Sequence, residues 1–155
     1  MNAYGDSESS LEGNGAIITT SPDPPTNLIE DTIYRTKSTL AFKWTPPLFT
    51  GGDIILDYRV SIAELGGSFS ILSSGVIPTS FTATSLTAGV TYQFKVESRN
   101  SYGYSSYSSP ITMLCAFIPE PPSTVSTTNS ADQVVISWSA PVTNGSPITS
   151  YKIFI

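Results

Sequence analysis

Histidine is absent from this 155-residue chain, and cysteine occurs once, at Cys115. Without an imidazole there is no histidine general base and no histidine-ligated metal. Serine- or cysteine-nucleophile arrangements therefore lack their usual proton acceptor. Charge is scarce too: 7 basic and 12 acidic residues leave a net −5, with 12% of positions charged. A phosphate-neutralising face needs clustered Lys and Arg, so nucleic acid is not an expected partner. Long apolar runs are also lacking. The longest, Ile111 to Ile118, is broken by Thr112 and falls far short of the about 20 residues that span a bilayer. The opening residues carry Asp6, Glu8 and Glu12 in place of a basic start and an apolar block, so no secretory signal is read there.

Helical periodicity is missing as well, because Pro, Gly, Ser and Thr interrupt every stretch long enough to hold it. Strand alternation recurs instead. Leu40, Phe42 and Trp44 alternate with Thr39, Ala41 and Lys43; Leu56, Tyr58, Val60 and Ile62 with Asp57, Arg59 and Ser61; Tyr92, Phe94 and Val96 with Gln93, Lys95 and Glu97. Each pattern predicts a strand with one apolar and one wet face. Weaker signals lie at Asn27 to Glu30, Ser68 to Ser73, Ser80 to Ser85 and Ser109 to Leu114, separated by Pro and Gly turns. Seven short strands at this spacing predict an all-β sandwich.

The chain repeats itself. Pro24-Pro25, then Leu40 to Pro47 with Trp44, then Tyr58-Arg59-Val60 return as Pro121-Pro122, Val134 to Pro141 with Trp138, and Tyr151-Lys152-Ile153, at an offset of about 93 to 97 residues. Asn2-Ala3-Tyr4-Gly5 likewise matches Asn100-Ser101-Tyr102-Gly103. Residues 1–21 are thus expected to be the last loop and strand of one repeat, 22–118 a complete repeat, and 119–155 the first three strands of another. Half a sandwich would leave Val134, Ile136, Trp138, Tyr151 and Ile153 without a partner layer. Continuation of the chain is favoured over completion by a second chain.

The Pro-rich entry, the strand tryptophan, the Tyr-x-Val of the third strand and the run from Leu86 through Gly89, Tyr92, Phe94, Val96 and Asn100 to Gly103 resemble the fibronectin type III domain. The resemblance implies an immunoglobulin-like seven-stranded β-sandwich in tandem array. It also implies that Tyr92 packs over Leu86 with its hydroxyl bonded to backbone near Gly89, and that Trp44, Tyr58, Trp138 and Tyr151 fill the inner faces.

Candidate sites are few. Asp53 and Asp57 are close in sequence, but a turn and a wet strand face suit no carboxylate pair, and Gly51-Gly52 and Gly66-Gly67 read as turns and not phosphate loops. No catalytic residue, metal or cofactor is expected. Cys115 reads as a small apolar residue at a repeat junction, with a cross-link between chains as the alternative. Asn144-Gly145-Ser146 is a glycosylation sequon on an expected exposed loop, weakened by Pro147, with a plain turn as the alternative. Tyr104 and Tyr107, set among serines, have the composition of an adaptable protein-binding loop. Asp57, Arg59, Lys95 and Glu97 are expected to be solvated cross-strand charges.

Together these features imply a non-enzymatic structural or spacer segment of a larger repeat protein, an extracellular or cell-surface stalk or filament. Its partners would be neighbouring repeats, other copies or a surface protein. The alternatives are an adhesion or receptor ectodomain module using the Tyr104 and Tyr107 loop, and an intracellular giant scaffold, which the stretch Asn144 to Tyr151 resembles. A catalytic domain elsewhere in a longer chain is a further reading, since the fold alone does not fix function.

Overall fold

The alternating segments form the strands they predict. The computed structural model describes residues 2–9, 12, 15 and 18–154. In chain order β1 is Thr26–Glu30, β2 Leu40–Thr45, β3 Asp57–Glu64, β4 Ser70–Val76, β5 Ser80–Ala83, β6 Thr91–Arg99 and β7 Ile111–Leu114. They make two antiparallel sheets, ordered β1-β2-β5 and β4-β3-β6-β7. Leu40, Phe42 and Trp44 from the first sheet meet Tyr58, Val60, Phe94 and Val96 from the second in one buried cluster. The rings interlock: Phe42 lies 4.9 Å from Phe94, and Trp44 meets Tyr58 edge-on at 5.2 Å. Each buried aromatic removes a large apolar area from water, so these few side chains carry much of the sandwich's stability.

The corner joining the sheets forms as expected. The Tyr92 hydroxyl accepts from the Thr87 backbone N–H at 3.1 Å, two residues before Gly89, and Leu86 packs against the core cluster.

Beyond the sandwich, β8 (Val125–Ser130) and β9 (Gln133–Trp138) form a separate two-stranded sheet. Trp138 and Tyr151 repeat the Trp44–Tyr58 pair, with ring centroids again 5.2 Å apart. The expected third strand through Tyr151 and Ile153 is not formed. Its counterpart β3 is held between β4 and β6, whereas residues 147–154 have no such neighbours among the described residues, and Val134, Tyr151 and Ile153 are exposed. The strand expected near the end of residues 1–21 falls largely on positions outside the described residues.

Candidate functional site

On the outer face of the larger sheet, the register sets Asp57 opposite Arg99, Arg59 opposite Glu97 and Ser61 opposite Lys95. Alternate residues of a strand share a face, so opposite charges meet directly across the ladder. Arg59 donates two parallel hydrogen bonds to Glu97, at 2.7 and 2.6 Å, and Arg99 does the same with Asp57, its Nε lying 2.8 Å from Oδ1. These bonds raise the pKa of both guanidiniums above the ordinary arginine value, the partner carboxylate being the main cause.

Solvated charges were the expectation, and the structure corrects it: Asp57 and Glu97 are only 6% and 4% exposed. The cover is aromatic. The Tyr104 ring lies 3.9 Å from the Arg59 guanidinium carbon and 5.6 Å from that of Arg99. Lys95 sits between two more rings, its ammonium 4.2 Å from Phe69 and 5.4 Å from Tyr107. Cations over ring faces are favourable and more so where water is excluded.

What holds the tyrosines there is serine. Along Tyr104-Ser105-Ser106-Tyr107-Ser108-Ser109 the backbone N–H of Ser105 donates to Ser98 O at 2.8 Å, and that of Ser108 to Val96 O at 2.9 Å. The return bonds do not go to carbonyls. The Ser98 and Val96 N–H groups donate instead to the Ser105 and Ser108 hydroxyls, each at 3.0 Å, and those hydroxyls donate onward to the carbonyls of Ser106 and Ser109. The loop advances three residues while β6 advances two, so a regular ladder cannot form. The hydroxyls satisfy the buried β6 donors across that mismatch, and every third residue, Tyr104 then Tyr107, falls over the charges. Tyr104 is thereby half-buried as a cover for ion pairs, while Tyr107 is 50% and Tyr102 68% exposed.

Sequence reasoning missed Asn100, which is 2% exposed. Its carbonyl oxygen accepts from the N–H groups of Tyr102 and Gly103, and its amide nitrogen donates to Thr20 O at 2.7 Å and Thr50 O at 2.9 Å. The available signal was the repeat of Asn2 at Asn100: Asn2 makes the same turn, its side chain accepting from Tyr4 N–H at 2.9 Å.

The linkers before and after the sandwich are held alike. Thr20 N–H donates to Gly51 O at 2.9 Å and Asp23 N–H to Phe49 O at 3.0 Å; one repeat later Phe117 N–H donates to Asn144 O at 2.9 Å and Glu120 N–H to Val142 O at 3.0 Å. Asn144 therefore does not stand on an open loop. It is 5% exposed, and the amide nitrogen that a glycan would occupy donates to Ile118 O at 2.8 Å and to the Glu120 carboxylate at 3.3 Å. Cys115 is fully buried, with its thiol donating to Lys37 O at 3.3 Å, and burial pushes its pKa up. That burial removes it from the surface that a cross-link between chains needs.

The Asp53 carboxylate accepts from Ile54 N–H, whereas that of Asp57 is paired with Arg99. Among the described residues no group of three or more Cys, Asp or Glu is placed to hold a metal ion, and no helix is long and apolar enough to cross a membrane.

Among known proteins, Kelch domain-containing protein SSO1033 of Saccharolobus solfataricus is 37% identical over 66% of this chain, and protein sidekick-1 of Mus musculus 29% identical over 77%. The chain spans only 13% and 6% of the lengths of those two relatives. Titin module A71 from human cardiac muscle superposes with a TM-score of 0.55 at 30% identity, over 62% of this chain and 94% of the module. The fibronectin type III domain model matches residues 23–113. That match takes in all but the last residue of the seven paired strands and more than half of the chain, which belongs to the fibronectin type III domain family.

Proposed function

We propose that the chain is a non-enzymatic spacer segment of a larger tandem-repeat protein, with residues 1–21 ending one repeat, 22–118 forming a complete one and 119–155 beginning the next. The observation that carries this reading is the junction itself. The same two backbone hydrogen bonds tie linker to loop at both ends of the central sandwich, on residues one repeat apart. Each sandwich adds roughly 30 to 35 Å to such an array, about ten strand residues at ~3.3 Å each. Proline at 22, 24 and 25, and again at 119, 121 and 122, stiffens the connections. The partners are neighbouring repeats, then other copies or a surface protein, and the setting is an extracellular or cell-surface stalk or filament, for which low charge and abundant Ser and Thr speak. Likeness to a titin module supports the alternative of an intracellular scaffold.

A second reading, a protein-binding module, rests on the exposed Tyr102 and Tyr107 rings held on a fixed loop. Intact mass of the native chain, with peptide mapping of both ends and of Asn144, tests the spacer reading. A mass far above 16.5 kDa with further repeats among the peptides is the expected result, and a mass near 16.5 kDa overturns it.

A further inference from the structure

We propose that the loop between β2 and β3 of each repeat is a docking surface for the repeat before it, locking successive units in one fixed orientation. This inference rests on the tandem reading. In the central unit that loop contains Gly51 and Gly52; one repeat later the same positions are Asn144 and Gly145. All four have φ between +51 and +95, the left-handed region, so both loops make the same backbone turn.

The turn delivers a glycine against the end of the preceding unit. A β-carbon at Gly145 would lie 2.5 Å from Gly89 N, 2.7 Å from Cys115 O and 3.2 Å from Ala88 C. Backbone atoms cannot yield at such distances, so only glycine permits this approach. Gly52 repeats the contact: its β-carbon would lie 2.9 Å from Ile18 O, and Ile18 stands one repeat before Cys115.

The receiving surface is rigid. Gly89 N–H donates to Cys115 O at 2.8 Å, Cys115 N–H donates to Val90 O at 2.9 Å, and the Cys115 thiol is anchored on Lys37 O. The linker closes the other side, since Phe117 and Glu120 donate to Asn144 O and Val142 O. A unit held by linker and loop together cannot swing about the linker without losing backbone hydrogen bonds. The partner of this surface is therefore the adjacent repeat, and the array is a rod with a set twist between units.

Residual dipolar couplings on the full 155-residue chain test this. Amides of β3 and β6 and amides of β8 and β9 should fit one common alignment tensor in the wild type. Gly145→Val should split them into two tensors, with couplings in the β8–β9 hairpin reduced by half or more. Gly66→Ala should keep one tensor, because Gly66 has a similar φ of +84 but open space around its β-carbon position. Two tensors or averaged hairpin couplings in the wild type overturn the proposal whatever any variant does, as does a common tensor in Gly145→Val. One tensor in a chain of native mass near 16.5 kDa would uphold the docking surface and remove the long array. Two tensors in a chain of much larger native mass would do the reverse.

Discussion

Replacing Ser105 or Ser108 by alanine isolates the device that lays the tyrosines over the sheet. Both serines are nearly inaccessible, at 6% and 4% exposure, and their hydroxyls are the acceptors for the backbone N–H groups of Ser98 and Val96, residues with no exposed surface. Alanine keeps the shape but leaves a buried donor unpaired, which costs about 1 to 3 kcal/mol. The carbonyls of Ser106 and Ser109 also lose a donor, but these residues are exposed and water replaces it. Each single variant should thus lose about 1 to 3 kcal/mol. For a domain of this size a loss of ~2 kcal/mol lowers the melting temperature by roughly 8 to 16 °C. The double variant need not be additive, since both serines hold one loop. Urea titration in a Trp138→Phe background leaves Trp44, buried in the sandwich, as the sole indole reporter. Ser106→Ala, exposed and without a side-chain bond to β6, is the control and should stay within ~0.5 kcal/mol. Amide exchange at Val96 and Ser98 should accelerate only in the corresponding variant. Ser105→Ala and Ser108→Ala behaving like Ser106→Ala would refute the reasoning.

Arg59→Met should cost about 3 to 5 kcal/mol by denaturation, because Glu97 stays buried without its partner, while Arg59→Met with Glu97→Met should recover most of the loss. Tyr104→Ser should destabilise by about 1 kcal/mol through lost contact with the two guanidiniums, whereas Tyr107→Ser should leave stability within ~0.5 kcal/mol. If Tyr107 is instead a binding hot spot, its loss should weaken a partner by more than about 2 kcal/mol in calorimetry. The Cys115 thiol, with a pKa raised by burial, has less thiolate at pH 8 than a free thiol; a chromogenic disulfide reagent should label it fast in urea and only at the rate of opening in the native state.

The core was legible because its signals are local. Leu40, Phe42 and Trp44 announce a half-buried strand by alternation alone, and Tyr92 stands at a fixed distance from Leu86 and Gly89 along the chain. The charged face was not, because the ring that lies over the guanidiniums paired with Asp57 and Glu97 is that of Tyr104, which is far from Asp57 in sequence. Nor did the Tyr-Ser-Ser triplet match a helix or strand period; its meaning appears only when it is set against the two-residue step of β6. Asn144 failed for a related reason. A sequon on a loop reads as open, and only the linker folding back from Ile118 to Glu120 closes it.

The two junctions also show how one backbone arrangement survives a change of side chain. At the first, Gly51 has no room for a β-carbon, because Thr20 O and the Asn100 amide occupy that space. At the second the same position is Asn144, whose own amide donates to a linker carbonyl, that of Ile118. In one case the donor reaches the linker from the end of β6, and in the other it reaches from the loop itself. In both junctions a linker carbonyl receives a side-chain amide, whichever residue supplies it. The repeat therefore keeps its hydrogen bonds while Gly-Gly changes to Asn-Gly. At the second position of the turn glycine is kept, as Gly52 and then Gly145, and in both units a β-carbon there would strike backbone of the preceding unit, Ile18 O in one and Gly89 N and Cys115 O in the other.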